Sequence, residues 1–176
     1  MYQRILVPTD GSDLSAVAEE AAVAFARVCG SELVALSIVP PEPVLLSAEG
    51  ALVAGGSGAD ALRAQAEAYV GRVAASAAAA GIACTTLTVY GYSAGSEIVE
   101  AARRTGCDLV FMASHGRRGL SRLIAGSVTQ HVLAYSSVPV MVYRPRHDNR
   151  AAPTKGSAMN ESTGDQAGTS ASKGSP

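Results

Sequence analysis

Short apolar runs alternate with helix-forming segments along most of this chain, and no other feature limits the fold as strongly. The runs lie at residues 5–7, 32–39, 82–90, 109–112 and 139–143. Residues 109–112 show no polar alternation, which is typical of a strand covered on both faces. Strands separated by helices predict an α/β fold with a five-stranded parallel sheet and helices on both of its faces.

The segments between the strands carry helix signals. Helices are predicted over residues 12–29, 60–80, 93–104 and 128–135. In the first, apolar side chains recur at helical spacing at Val17, Ala21, Ala24 and Val28. Gly30 is placed as a C-cap glycine, and Ser127 and Gln130 have the spacing of a capping box at the start of the last helix. Residues 40–58 form a long connection, which in a compact domain is usually mobile or functional.

The carboxyl-terminal segment has a different composition. Residues 145–176 contain no Val, Ile, Leu, Phe or Tyr, so they bury too little apolar surface to offset the entropy of ordering. We therefore expect one folded domain over residues 1–144 and a disordered polar tail over residues 145–176. The whole chain has 14 Lys and Arg against 15 Asp and Glu, and this near-neutral balance argues against a nucleic-acid partner.

The compartment is predicted from what the sequence lacks. It has no apolar run long enough to span a membrane and no secretory signal, so we expect a cytoplasmic protein without a membrane partner. Cys29, Cys84 and Cys107 are widely spaced and match neither a disulfide framework nor a zinc site. Buried free thiols in a reducing compartment are the expectation.

The segment after the fourth strand, residues 113–127, has the features of a phosphate-binding turn. Gly116 and Gly126 let the backbone turn several N–H groups toward one point. Gly126 and Ser127 also begin a helix, whose amino terminus attracts anions. Glycine spacing alone leaves open a purely structural turn, in which Ser127 is only the N-cap. No Walker lysine follows, and the glycines do not follow the first strand as in a dinucleotide fingerprint.

Taken together, these segments make the chain resemble the universal stress protein family. The resemblance is carried by Ile5-Leu6-Val7-Pro8-Thr9-Asp10-Gly11-Ser12, by residues 108–116, by Gly126-Ser127-Val128 and by Pro139-Val140-Met141-Val142. It covers residues 2–144 and implies a Rossmann-like sheet of order 3-2-1-4-5, as in the adenine nucleotide α-hydrolases. It also implies a homodimer formed through the last strand, where Val140, Met141 and Val142 would otherwise leave an apolar edge.

One branch of this family binds ATP through a motif of Gly, two residues, Gly, nine residues, Gly, then Ser or Thr. Here the first position is Ala113, followed by Gly116 and, nine residues later, by Gly126 and Ser127. The spacing is kept and the first glycine is replaced. A methyl group at Ala113 could crowd a ribose packed against the backbone, or forbid a positive φ. If the backbone there is extended, the replacement of glycine by alanine costs little.

The resemblance implies an adenine pocket at the ends of the first two strands. Pro8, Thr9 and Asp10 would line it, and Ile38 would contact the base. Two plainer interpretations remain open, because Asp10 can form an Asx turn before Ser12 and Ile38 can belong to the core.

The same resemblance implies a ribose and phosphate site. Met112 and Ala113 would flank the ribose, with His115 beside it or beside the phosphates. Backbone N–H groups would hold the phosphates at Gly116, Gly126, Ser127, Val128 and Thr129. Arg117, with Arg118 and Arg122, would add positive charge, unless these arginines form a solvated surface.

The function implied is that of a cytoplasmic, homodimeric stress-response regulator that switches when it binds ATP, or AMP or ADP, and then contacts a protein partner. Mg²⁺ or Mn²⁺ would arrive through the phosphates. No water-activating base is evident, so we expect no enzymatic activity beyond slow ATP hydrolysis. A non-nucleotide-binding, dimeric interaction module is the alternative. An adenylating enzyme would need a pyrophosphate loop after the first strand, and a triad of Ser127, His115 and Asp10 lacks a nucleophile elbow.

Overall fold

The computed structural model describes residues 1–41, 45–46, 52–53, 56–114 and 126–145. Within these ranges the helices are α1 (Asp13–Cys29), α2 (Gly56–Ala79), α3 (Ala94–Arg104) and α4 (Ser127–Tyr135). The strands are β1 (Arg4–Pro8), β2 (Glu32–Val39), β3 (Leu45–Leu46), β4 (Leu52–Val53), β5 (Cys84–Tyr90), β6 (Leu109–Ala113) and β7 (Val140–Tyr143). Each predicted strand and helix is present, with bounds shifted by a few residues.

Five of the strands form one parallel sheet in the order β5-β2-β1-β6-β7. Counted among themselves along the chain they run 3-2-1-4-5, which confirms the predicted topology. Strand β1 is central, since Ile5 pairs with Leu33 of β2 and with Leu109 of β6. The order reverses between β1 and β6, so a crevice is expected beyond the carboxyl ends of these two strands.

The core lies on both faces of this sheet because successive strand residues point to opposite sides. On one face Leu6 of β1 packs in a cluster with Ile98 of α3 and Val132 of α4. On the other face Ile5 packs in a cluster with Val23 of α1. Covering by helices on both sides explains why these strands read as apolar runs without alternation.

Helix α1 has the predicted C-cap but buries a different face. Gly30 adopts a left-handed conformation at its carboxyl end. Of the apolar set at helical spacing, Val17 is 39% and Val28 is 76% exposed, whereas Ser15 and Glu19 are buried. The apolar spacing predicted the wrong inner face for α1. A charged residue, Glu19, lies on the inner face because it has polar partners inside the protein.

The predicted capping box of helix α4 is wrong. Its N-cap is Gly126, which is extended, with φ −60° and ψ 157°, and no side chain caps the helix in the described part of the chain. The Gln130 N–H donates to the Gly126 carbonyl at 2.9 Å, which places the first helical bond one residue earlier than a Ser127 cap would. Ser127 therefore lies inside the first turn.

The long connection and the carboxyl-terminal tail are described only in part, whereas all three cysteines are described. The connection over 40–58 contains the antiparallel pair β3 and β4 and the start of α2. The three cysteines are free, but only Cys107 is buried, and the other two are half-buried. Residues 146–176 of the predicted tail lie outside the description. No helix in the described ranges is long and apolar enough to cross a membrane.

Candidate functional site

A cavity of about 390 Å³ opens at the carboxyl ends of β1, β2 and β6. It therefore lies at the reversal of strand order, where ligands of open α/β sheets bind. Its size is usual for a small-molecule site. Among the lining residues that the structure describes, Asp10 is the one charged side chain.

The cavity brings together most of the residues that the sequence points to. These are Pro8, Thr9, Asp10, Ile38, Met112, Ala113, Gly126, Ser127, Val128 and Thr129. They come from the ends of three strands and from the first turn of α4. His115, Gly116 and Arg117, with Arg118 and Arg122, lie outside the described residues, so their roles stay predictions.

The turn after β1 is built by Asp10 and Gly11. The Asp10 Oδ1 accepts hydrogen bonds from the Ser12 N–H at 3.1 Å and from the Ser12 hydroxyl at 2.7 Å, so the Asx turn is present. Asp10 also lines the cavity, and the two interpretations of this residue are compatible. Gly11 has a φ of 76°, and a Cβ added there would lie 2.2 Å from the Tyr69 ring. Glycine is required for both reasons.

Thr9 forms part of the cavity wall, but its hydroxyl is already bonded within the protein. It donates to Glu19 Oε1 at 2.5 Å and accepts from the Gly11 N–H at 3.2 Å. Its backbone N–H donates to the Leu36 carbonyl at 2.8 Å. Thr9 therefore shapes the cavity, and neither of these groups is left for a ligand.

Ala113 is the last residue of β6 and pairs with Tyr143 of β7. Its backbone is therefore extended, and the conformational objection to alanine at this motif position does not apply. The methyl group itself remains at the cavity wall. Next to it, the buried Thr129 hydroxyl donates to the Ser114 carbonyl at 3.1 Å, which ties the first turn of α4 to the end of β6.

The amino terminus of α4 supplies the clearest polar feature of the site. The first N–H groups of a helix have no partner within the helix, and its positive dipole end attracts anions. The Gly126 N–H donates to the Ser114 carbonyl at 3.0 Å, so the N–H groups that remain are those of Ser127, Val128 and Thr129. Gly126 is the N-cap and has no side chain to bond these donors, so an anion in the cavity would meet no competing cap from that residue.

Helix α2 forms a wall that sequence reasoning missed. Its contributing residues are Leu62, Gln65, Ala66 and Tyr69. Their spacing is that of one helix face, which predicts core packing equally well, so the sequence held no separate signal for a cavity. The other lining residues not foreseen are Ser15, Ser37, Pro40, Ala94 and Ile98. Ser37 was the most visible of them, as a polar residue within an apolar strand.

Metal binding by the protein alone finds no support in this part of the chain. Within the described residues, no three His, Cys, Asp or Glu side chains are grouped so that they could hold a metal ion.

Comparisons with known proteins agree with this architecture. A family model for the universal stress protein family matches residues 1–144. The universal stress protein MJ0531 of Methanocaldococcus jannaschii is 32% identical over 147 residues, which cover 82% of this chain and 83% of that protein.

Solved structures of similar proteins share the fold. That of the hypothetical protein MJ0577, from the same organism, has a TM-score of 0.70 at 26% identity and covers 84% of this chain and 99% of that one. The universal stress protein from Archaeoglobus fulgidus in complex with dAMP has a TM-score of 0.58 at 16% identity, and the match covers 81% and 98% of the two chains.

Proposed function

Because this chain belongs to the universal stress protein family, we propose that it is an adenine-nucleotide-binding stress-response regulator that holds its ligand in the cavity described above. ATP is the proposed ligand, with AMP and ADP as variants and with Mg²⁺ or Mn²⁺ carried by the phosphates. The observation that supports the proposal most is the meeting of a largely apolar cavity with the amino terminus of α4, whose N-cap is a glycine. Such a cavity suits a molecule with a flat apolar end and an anionic end.

The base would lie at the ends of β1 and β2. Pro8, Ile38 and Met112 provide apolar surface there, and Asp10 provides the acceptor that an exocyclic amine needs. The related protein from Archaeoglobus fulgidus holds dAMP, which supports an adenine ligand for this fold.

The phosphates would lie at α4. The N–H groups of Ser127, Val128 and Thr129 point from a positive dipole end, and Gly126 keeps a side chain away from them. Ala113 is compatible with this placement because it sits in extended backbone. The predicted contributions of His115, Gly116 and Arg117 would add to the anion site.

Gly126→Asp tests the proposal because it should affect ligand binding and stability in different directions. Gly126 is the N-cap of α4, and Asp is a favoured N-cap residue, so the carboxylate should bond the N–H groups of the first turn. We expect the folded state to be as stable as the wild type or more so. ATP binding should nevertheless be lost, because the carboxylate occupies the anion site and repels phosphate.

The measurement is isothermal titration calorimetry with ATP on the full chain, beside thermal unfolding. Gly71→Asp is the matched control, since it adds the same carboxylate to an exposed helical glycine with nothing within 4 Å of the new Cβ. This control should bind ATP as the wild type does. Failure of the wild type to bind at millimolar ATP would exclude the proposal.

The second candidate is a dimeric interaction module that binds no nucleotide. The observation that favours it is the Ala113 methyl group at the cavity wall, where the ATP-binding branch has glycine. Under this candidate the melting temperature does not change with ATP, whereas a bound ligand must raise it.

We also propose that the protein is a cytoplasmic homodimer. Strand β7 is an edge of the sheet, and Val140, Met141 and Val142 on it are only half-buried. Pairing with the same strand of a second copy would cover this edge and satisfy its backbone groups. The three free thiols fit a reducing compartment.

A further inference from the structure

A buried carboxylate lies directly behind the cavity. Glu19 of α1 is only 4% exposed, and its Oε1 accepts the Thr9 hydroxyl at 2.5 Å and lies 3.0 Å from the Ser15 hydroxyl. Both hydroxyl residues line the cavity. A charge placed so deep needs a partner of opposite sign, and the nucleotide site described above does not use Glu19.

That partner comes from helix α2. The Arg72 Nε lies 3.2 Å from Glu19 Oε2, and a terminal nitrogen lies 3.2 Å from Oε1, so the guanidinium contacts both oxygens. Two-pronged contacts of this kind fix orientation as well as distance. The guanidinium carbon also lies 5.7 Å from the centroid of the Tyr69 ring, in cation–π range.

Tyr69 in turn rests on the turn after β1. Its ring fills the space where a Cβ of Gly11 would stand. Tyr69 lines the cavity, so the chain of contacts from Glu19 through Arg72 ends on the cavity wall. We call Glu19, Arg72, Tyr69 and Gly11 the α2 clamp.

The residues of the α2 clamp that belong to α2 lie within its buried stretch. The buried side chains of the described part of this helix are Ala66, Val70, Val73 and Ala77. The lining residues Leu62 and Gln65 precede them and are exposed. Apolar packing is not directional, so contacts of that kind fix the pitch of α2 over the cavity less closely than oriented polar contacts do. The ion pair and the ring contact supply the missing direction.

We infer that Glu19 and Arg72 are positioning residues for the ligand, which act through Tyr69 by holding α2 at a set distance from the turn after β1. The inference rests on the proposed nucleotide binding at this cavity. Without the clamp, the ligand itself must order this wall. We expect a loss of about tenfold in affinity, the size usual for ordering one mobile side chain on binding.

The experiment compares Arg72→Met, Tyr69→Ala and their double variant by calorimetry with ATP on the full chain. Arg63→Met is the matched control, because Arg63 lies on the same helix in an exposed pair with Glu67 at 2.8 Å. We expect each clamp variant to bind about tenfold more weakly, the double variant to bind no more weakly than either, and the control to bind like the wild type. Additive losses, or wild-type affinity in Arg72→Met, would overturn the inference.

Hydrogen exchange of residues 62–69 in the ligand-free proteins separates this inference from the function it rests on. We expect faster exchange in Arg72→Met than in Arg63→Met. If the wild type binds no ATP, the proposed function fails, whichever exchange is seen. If the wild type binds ATP but exchange and affinity are equal in the two variants, the clamp has no positioning role and the proposed function stands.

Discussion

Gly11→Ala should be among the most damaging single-methyl changes in the described part of this chain. Its φ of 76° is a conformation that costs alanine about 1 kcal/mol or somewhat more. The new Cβ would also lie 2.2 Å from the Tyr69 ring, and aromatic carbons cannot approach so closely. Moving that ring off the turn adds an overpacking cost of about 2 kcal/mol. We expect a total loss of about 3 kcal/mol in the free energy of unfolding.

Gly30→Ala separates the two costs. Gly30 has nearly the same φ, 70°, and nothing within 4 Å of an added Cβ. It should therefore lose only the backbone contribution, about 1 kcal/mol. Urea unfolding followed by circular dichroism measures both variants. Gly11→Ala in a Tyr69→Ala background should also lose only about 1 kcal/mol, because the clash has gone. Equal losses in Gly11→Ala and Gly30→Ala would refute this account of the turn.

Two further changes test contacts at the start of β6 and at the β7 edge of the sheet. Burial would raise the pKa of Asp108, but the N–H groups of Gln3 and Arg4 donate to its carboxylate at 2.8 and 3.0 Å and lower the pKa. The resulting stability is present above the ordinary carboxyl pKa and is lost as pH falls through the lowered one. Asp108→Asn should thus unfold about 1 kcal/mol more easily at pH 7. In urea titrations this deficit should shrink as pH falls below the ordinary carboxyl pKa, and a deficit that does not change with pH would contradict this account. Val140→Pro should sediment as a monomer while Thr86→Pro, on the opposite edge strand β5, stays dimeric; a dimeric Val140→Pro would count against strand pairing.

The architecture could be predicted because it depends on patterns that the whole sheet enforces. Strands such as Leu109–Ala113 are apolar on both faces only when helices cover both sides, so the run itself implies the layers. Left-handed glycines such as Gly30 likewise follow from local geometry alone. These signals need no knowledge of which residues meet in space.

Details that depend on a distant partner could not be predicted. The inner face of α1 includes Glu19, whose burial makes sense only once Arg72 is known to reach it from another helix. The same holds for Tyr69, since its place on the cavity wall depends on the glycine turn after β1. The N-cap at Gly126 was missed because Ser127 followed by Gln130 fits a capping box on spacing alone, and the actual first bond is decided by the backbone.

The way the fold uses its own polar groups decides what is left for a ligand. The Thr9 and Thr129 hydroxyls are both bonded within the protein, to Glu19 and to Ser114, although both residues line the cavity. The other polar residues of the described walls are Asp10, Ser15, Ser37, Gln65, Tyr69 and Ser127, and the start of α4 adds its backbone N–H groups. The N–H groups at the positive end of α4 are placed to hold an anionic ligand, and no side-chain substitution removes them. On that ground, affinity should respond more to changes that block or displace these groups, such as Gly126→Asp, than to truncation of lining side chains.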